Sequence, residues 1–328
     1  MALKHFFITM FFSMILSITP GFSAESNNDY SQYLKRLSPN EGLSQSHVTT
    51  TVQDQQGYLW FGTQMGLNRY DGYKIKQIPG PDAIFEKDMI STLFLDSEGY
   101  LWVSTMYSGL YRLNPQTFSA EQFYDGQADG AGEYYNDVTK IIQQNDNELI
   151  MGIADGLYRL NLTTKELTQL LQLKSNEHLI RDLLLIGQSL LAASSDGLYQ
   201  INLATGEQTK IPHKPQDITS QNSNNTKLLV LDERLGLLVG TVDGLYRVPL
   251  PNEFDTSMKG PKTLIPDLNI WDMIKEGNDY YVATDKGLFQ FSTQDKQLEF
   301  VLKFSDSQYR TTDDNIVDLF RDHSDNLW

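Results

Sequence analysis

Tyr58-Leu-Trp-Phe-Gly-Thr63 is followed, two residues on, by Gly66-Leu-Asn-Arg-Tyr-Asp71. The same pair of runs returns as Tyr100-Leu-Trp-Val-Ser-Thr105 and Gly109-Leu-Tyr-Arg-Leu-Asn114. Weaker copies open at Gly156, Gly197, Gly244 and Gly287, each preceded by a short apolar run such as Leu237-Leu-Val-Gly-Thr241. The glycines from Gly66 to Gly287 are spaced 43, 47, 41, 47 and 43 residues apart. A period in the forties belongs to propeller blades or to stacked helix pairs. The runs decide for the propeller. They are short, rich in Val, Ile, Tyr, Trp and Thr, and punctuated by Gly, Asp and Asn too closely for helices.

Each unit reads as four strands. The first is an apolar run, such as Val48–Gln53, Ile90–Leu95, Val138–Gln143 or Ile316–Arg321. A turn opened by Asp and closed by Gly follows, as in Asp54-Gln-Gln-Gly57, where Asp bonds back to the backbone and Gly tolerates positive φ. The Leu-Trp run is the second strand, the anchor glycine starts the third, and a variable fourth includes Lys74–Ile78, Ala120–Phe123 and Leu298–Phe304. The expected fold is an all-β propeller of four-stranded blades, six complete and a seventh begun at Asn315–Trp328. Tyr30–Leu37 reads as a spare outer strand for that last blade. The ring is expected to be truncated, with the faces of blades 1 and 6 left open. Trp60 and Trp102 are expected to pack between blades, since large aromatics mostly supply core area.

Composition bounds the function. The 328 residues carry 26 Lys plus Arg against 42 Asp plus Glu, a formal charge of -16 that repels phosphate backbones and disfavours nucleic acid. The chain has no cysteine, which removes disulfides, thiolate metal sites and cysteine nucleophiles. Lys4, the apolar run Phe6–Ile18, the helix breakers Pro20 and Gly21 and the small residues Ser23 and Ala24 have the layout of a secretory signal peptide. Residues 1–24 are expected to be removed, leaving 25–328 as the propeller domain. An anchor is the alternative, but the 13-residue run is short against the roughly 20 needed to span a membrane.

Leu37-Ser-Pro-Asn-Glu-Gly-Leu43, Gln53-Asp-Gln-Gln-Gly-Tyr-Leu-Trp-Phe-Gly-Thr63 and Gly66-Leu-Asn-Arg-Tyr-Asp-Gly72 resemble the two-component regulator propeller repeats. The second unit is nearly as similar, whereas units three to six keep only the Gly-Leu-Tyr/Phe core. The resemblance covers about residues 30 to 328. It implies the periplasmic sensor region of a hybrid histidine kinase or diguanylate cyclase, anchored in the inner membrane by a later segment. It also implies binding of a ligand, often a carbohydrate, and self-association in the receptor. Kinase or cyclase activity would lie in an output domain outside these residues.

No catalytic constellation stands out. There is no phosphate-binding Gly-rich loop and no His-Glu-x-x-His pair, and the five histidines are scattered. Ser194-Ser195-Asp196-Gly197 lacks the frame of a nucleophile elbow. Asp322-His-Ser-Asp-Asn326 lacks the length and terminal Glu of a calcium loop and reads as a turn. No metal site and no cofactor is implied. Three functions compete: an exported ligand sensor, a periplasmic propeller enzyme acting on polysaccharide as a lyase or glycosidase, and a scaffold that binds protein. The sensor is favoured by the resemblance.

A ligand is expected where the connections between blades and the turns joining second to third strands open around the axis. His47, Gln64, Lys87, Tyr107, Asp137, His178 and Trp271 are the candidate binding residues. Their mix of hydrogen-bonding groups and flat apolar faces suits a neutral or weakly charged sugar better than a polyanion.

Overall fold

The structure is a computed structural model that describes residues 35–125, 137–153, 155–173, 179–215, 225–249, 260–302 and 314–328. Residues 1–34 lie outside it, and with them the signal segment and the start of the spare strand.

Six four-stranded antiparallel sheets follow one another along the chain, each paired in sequence order. Blade 1 holds β1 (Val48–Gln53), β2 (Leu59–Thr63), β3 (Gly66–Tyr70) and β4 (Ile75–Ile78), and blade 2 holds β5 (Ile90–Leu95), β6 (Leu101–Thr105), β7 (Gly109–Leu113) and β8 (Ala120–Tyr124). Blade 3 holds β9 (Val138–Asn145), β10 (Glu148–Ile153), β11 (Gly156–Asn161) and β12 (Leu167–Gln172). Blade 4 holds β13 (Ile180–Ile186), β14 (Ser189–Ser194), β15 (Gly197–Asn202) and β16 (Gln208–Ile211). Blade 5 holds β17 (Thr226–Asp232), β18 (Gly236–Thr241), β19 (Gly244–Val248) and β20 (Lys262–Pro266). Blade 6 holds β21 (Ile270–Glu276), β22 (Asp279–Thr284), β23 (Gly287–Phe291) and β24 (Leu298–Leu302). A single helical turn, α1 (Ile84–Lys87), interrupts the connection from blade 1 to blade 2 and buries Phe85 fully.

The second strands β2 and β6 are buried along their whole length, because both faces are covered by neighbouring blades. Trp60 is fully buried among Leu93, Leu101, Val103 and Tyr111 of blade 2, and Trp102 plays the same part against Ile141, Leu149 and Met151 of blade 3. The expectation for both tryptophans is met, and their indoles carry a second role. Trp60 Nε1 donates to Asp54 Oδ2 at 2.8 Å and Trp102 Nε1 to Asp96 Oδ2 at 2.9 Å. The other oxygen of each aspartate accepts two backbone N–H groups of the turn. One carboxylate therefore fixes the turn and satisfies the buried indole donor.

A second repeated device closes the opposite end of the blade. Thr63, Thr105, Ser194, Thr241 and Thr284 end the second strand, are fully buried, and donate to the carbonyl of the glycine that starts the third. At Gly109 φ is +84°, and an added Cβ would lie 2.0 Å from the carbonyl oxygen of Tyr124. That fit explains why glycine anchors the repeat.

Residues 314–328 fill the gap between blades 6 and 1. Ile316 N donates to Thr284 O at 3.0 Å, Leu319 N donates to Asp272 Oδ2 at 2.9 Å, and Arg321 pairs with Glu276. On the other side Trp328 packs on Phe61 and Tyr70, with ring centroids 6.1 and 6.0 Å apart. His323 N donates to Gln53 Oε1 at 2.6 Å. The Asp–Trp device recurs at 2.9 Å between Trp328 Nε1 and Asp322 Oδ2. The expected open gap beside blade 1 is thus covered by this segment. It makes one antiparallel bridge, Arg321 to Leu327, instead of a full strand pair. Lys35–Leu37 form no strand: Lys35 Nζ bonds the Tyr70 hydroxyl at 2.5 Å, and Leu37 packs with Phe320 and Trp328.

Candidate binding site

All six inner strands share one irregularity. The pairing register of first and second strands shifts at the second residue of the inner strand, between Val48 and Thr50, Ile90 and Thr92, Val138 and Lys140, Ile180 and Asp182, Thr226 and Leu228, and Ile270 and Asp272. A bulge there leaves the extra residue unpaired and turns its side chain out of the ladder. The bulged residues are Thr49, Ser91, Thr139, Arg181, Lys227 and Trp271.

In blades 1 and 3 the bulged residue is spent on the neighbouring blade. Thr49 Oγ1 donates to Ile90 O and Thr139 Oγ1 to Ile180 O, both at 2.6 Å. In blade 5 the bulged residue also reaches the next blade, but through a cation. Lys227 Nζ stands 3.0 Å from the centroid of the Trp271 ring and donates to Asn269 Oδ1 at 2.8 Å. Burial first, then the charge of Arg181, push the Lys227 ammonium down to about 8, against the opposing pull of Asp285. Arg181 is exposed to water yet densely surrounded, and that desolvation lowers its affinity for the proton. The indole Nε1 of Trp271 and Oδ1 of Asn225 are buried without a hydrogen-bond partner among the described residues.

In β9, β13 and β21 the residue after the bulge is charged: Lys140, Asp182 and Asp272. Lys140 Nζ pairs with Asp182 Oδ1 at 2.8 Å, and Asp182 Oδ2 accepts Leu229 N at 2.8 Å. Asp272 and Asp318 face the same lysine. Burial and the neighbouring Asp318 push the Asp272 carboxyl up to about 7, with two backbone N–H groups and Lys140 opposing. Burial raises Asp318 as well, with Lys140 and the bond to Asp272 opposing, so the two carboxyls titrate as a coupled pair.

In blades 1 and 2 the connection into the blade is hydrogen-bonded to the turn between the second and third strands. Gln64 N donates to His47 O at 3.4 Å, joining the connection into blade 1 to the β2–β3 turn. Tyr107 N donates to both carboxylate oxygens of Asp88, at 3.3 and 3.1 Å, joining the same two loops in blade 2. His47, Gln64, Lys87 and Tyr107 are exposed there, Tyr107 by 55%. Asp137 is half-buried, and burial raises its carboxyl while the Ser91 hydroxyl opposes and Asp88 adds. His178 lies outside the described residues. The turn carboxylates of blades 3 to 5 are engaged locally. Asp155 accepts the Tyr158 hydroxyl at 2.8 Å, Asp196 pairs with Lys210 at 3.0 Å, and Asp243 pairs with Lys214 at 2.5 Å. Of the three bulged residues in blades 4 to 6, sequence reasoning singled out Trp271 and did not consider Arg181 or Lys227. Their signal was a long cation as second residue of an otherwise apolar inner strand, Ile180-Arg-Asp-Leu-Leu-Leu-Ile186 and Thr226-Lys-Leu-Leu-Val-Leu-Asp232.

A family profile described as Two component regulator propeller matches residues 42–65, within the stretch that carried the resemblance. A histidine kinase P4 of Formosa agariphila is 42% identical over 65 residues, which is 20% of this chain and 5% of that protein. The extracellular domain of BT3049, assigned as a hybrid two-component system of B. thetaiotaomicron, superposes with a TM-score of 0.72 at 20% identity, over 90% of this chain and 40% of that one. That of BT4673, from the same organism and with the same assignment, gives a TM-score of 0.68 at 22% identity, over 86% and 36%. These likenesses establish the fold. The chain spans well under half the length of each of these proteins.

Proposed function

We propose that this chain, a propeller that opens on a two-component regulator propeller repeat, is the exported sensory part of a membrane-anchored signalling receptor, and that it takes a small ligand, a carbohydrate by preference, at the loop face around its axis. The observation that carries the reading is that repeat at residues 42–65, set in a propeller where the connections into blades 1 and 2 are hydrogen-bonded to the turns between their second and third strands. In the receptor the propeller would relay occupancy by rearranging against a second copy. Among the described residues no helix is long and apolar enough to cross a membrane.

Two measurements test the reading. N-terminal sequencing of protein from the periplasmic or membrane fraction should start near Ala24 or Glu25; a retained Met1 on mature protein contradicts cleavage. Calorimetry with a panel of neutral and acidic oligosaccharides should find a binder. His47→Ala, Lys87→Ala, Tyr107→Ala and His178→Ala, made singly, should include at least one that weakens it about tenfold. Unchanged affinity in all four would move the site off this face.

A further inference from the structure

The bulges in blades 4, 5 and 6 bring Arg181, Lys227 and Trp271 to successive positions around the axis, next to Asn225 and Asn269. Three facts about this group stand together. In a chain with a surplus of acid, neither Arg181 nor Lys227 forms an ion pair among the described residues. Lys227 is buried and held in place by the Trp271 ring and by Asn269, so its ammonium is fixed in position. The Trp271 indole N–H is buried with no acceptor among the described residues, although buried donors are almost always paired. Three kinds of donor, a guanidinium, an ammonium and an indole N–H, are therefore gathered here, and the acid that acts on the ammonium is Asp285, which accepts Asn269 N at 3.3 Å.

We propose that Arg181, Lys227 and Trp271 form an anion-binding subsite at the rim of the propeller channel, and that it takes the carboxylate of a small acidic ligand such as a uronic acid. The inference rests on the ligand-sensing reading above and narrows its ligand from a neutral sugar to one with a single acid group. A planar guanidinium grips a carboxylate through two parallel hydrogen bonds, and the indole N–H supplies a third donor to the same oxygens. The ammonium adds charge in a partly desolvated setting, where it counts for more than in water. A polyanion is disfavoured, because the chain as a whole carries a formal charge of -16 and Asp182, Asp272 and Asp318 gather around the one Lys140. The ammonium that burial has brought down to about 8 gains the counter-charge it lacks when a carboxylate arrives.

The test is calorimetry on the whole chain at low salt, with glucuronate and galacturonate, with glucose as the neutral counterpart, and with inorganic sulfate. The two acids should bind and glucose should not. Arg181→Gln should weaken the acids by about tenfold or more, as loss of a charge-assisted bond requires, without changing Tm, because Arg181 is exposed. Trp271→Phe, which keeps an aromatic ring under Lys227, should weaken them several-fold. Affinity for glucuronate should fall as pH rises through about 8, where Lys227, with Arg181 and Asp285 as its charged neighbours among the described residues, loses its proton. That step should vanish in Lys227→Gln. Acids that bind equally well to Arg181→Gln and Lys227→Gln would overturn the subsite and leave the sensory reading standing. So would a panel in which neutral oligosaccharides bind and neither acid does. Sulfate binding as tightly as glucuronate would overturn the assignment to a carboxylate. Failure of every acid and every oligosaccharide would sink both readings.

Discussion

At the scale of single residues, the aspartates that open the turns do more than turn the chain. Asp96 accepts two backbone N–H groups, the indole of Trp102, and both Nε and Nη2 of Arg112, at 3.0 and 2.7 Å. It is itself 3% exposed. Asp96→Ala would strand a buried indole donor and leave the half-buried Arg112 with only Glu98. A loss of about 2–3 kcal/mol is expected in urea unfolding, more than for a surface carboxylate. The turn itself was legible in the sequence from Asp and Gly at fixed spacing. The indole bond was not read, although Asp precedes Trp by six residues in all three copies, Asp54 and Trp60, Asp96 and Trp102, Asp322 and Trp328. Strand alternation says which residues are inside, but not which buried donor finds which acceptor.

At the scale of the strand, the inner strands were located well and misread in one respect. β1 and β5 fall where the apolar runs placed them, because β-branched and aromatic residues there suit a buried ladder. The bulge at the second residue left no mark in the hydrophobic pattern, since one extra residue in a continuous apolar run shifts no alternation. Arg181 and Lys227 were therefore overlooked, and so was the Asp272–Asp318 pair one residue further in. That pair gives the stability a pH dependence of definite sign. An unfolded Asp releases its proton near pH 3.9, whereas folded Asp272 holds it up to about 7. Between those values the folded chain carries a proton the unfolded chain has lost, so this pair's contribution falls as pH rises through the window and levels off above it. Asp318→Asn removes the repulsion. It should raise stability at pH 8 and flatten the slope between pH 5 and 7, read from urea midpoints across pH. An equal slope in the variant would mean the two carboxyls titrate independently.

At the scale of the molecule, blades stack as nearest neighbours and the ends meet through residues 314–328. Trp328 sits half-buried between its own Asp322 and the blade 1 rings Phe61 and Tyr70. Trp328→Ala should lower stability by about 2 kcal/mol and increase hydrogen exchange in β2 and β3 more than in β14 and β15 on the distant blade 4. Uniform loosening of all blades would contradict closure at this seam. The repeat made the ring legible, but the cover over blade 1 depends on long-range contacts that no local pattern announces. The central claim is that the loop face around the axis receives the ligand. Its most direct test is hydrogen exchange by mass spectrometry on the whole chain, with and without saturating amounts of an oligosaccharide or uronic acid found to bind. The account predicts protection at 45–47, 64–65, 87–88, 106–108, 181–182 and 269–272. Protection confined to the opposite turns, 54–57, 96–99 and 322–326, would contradict it.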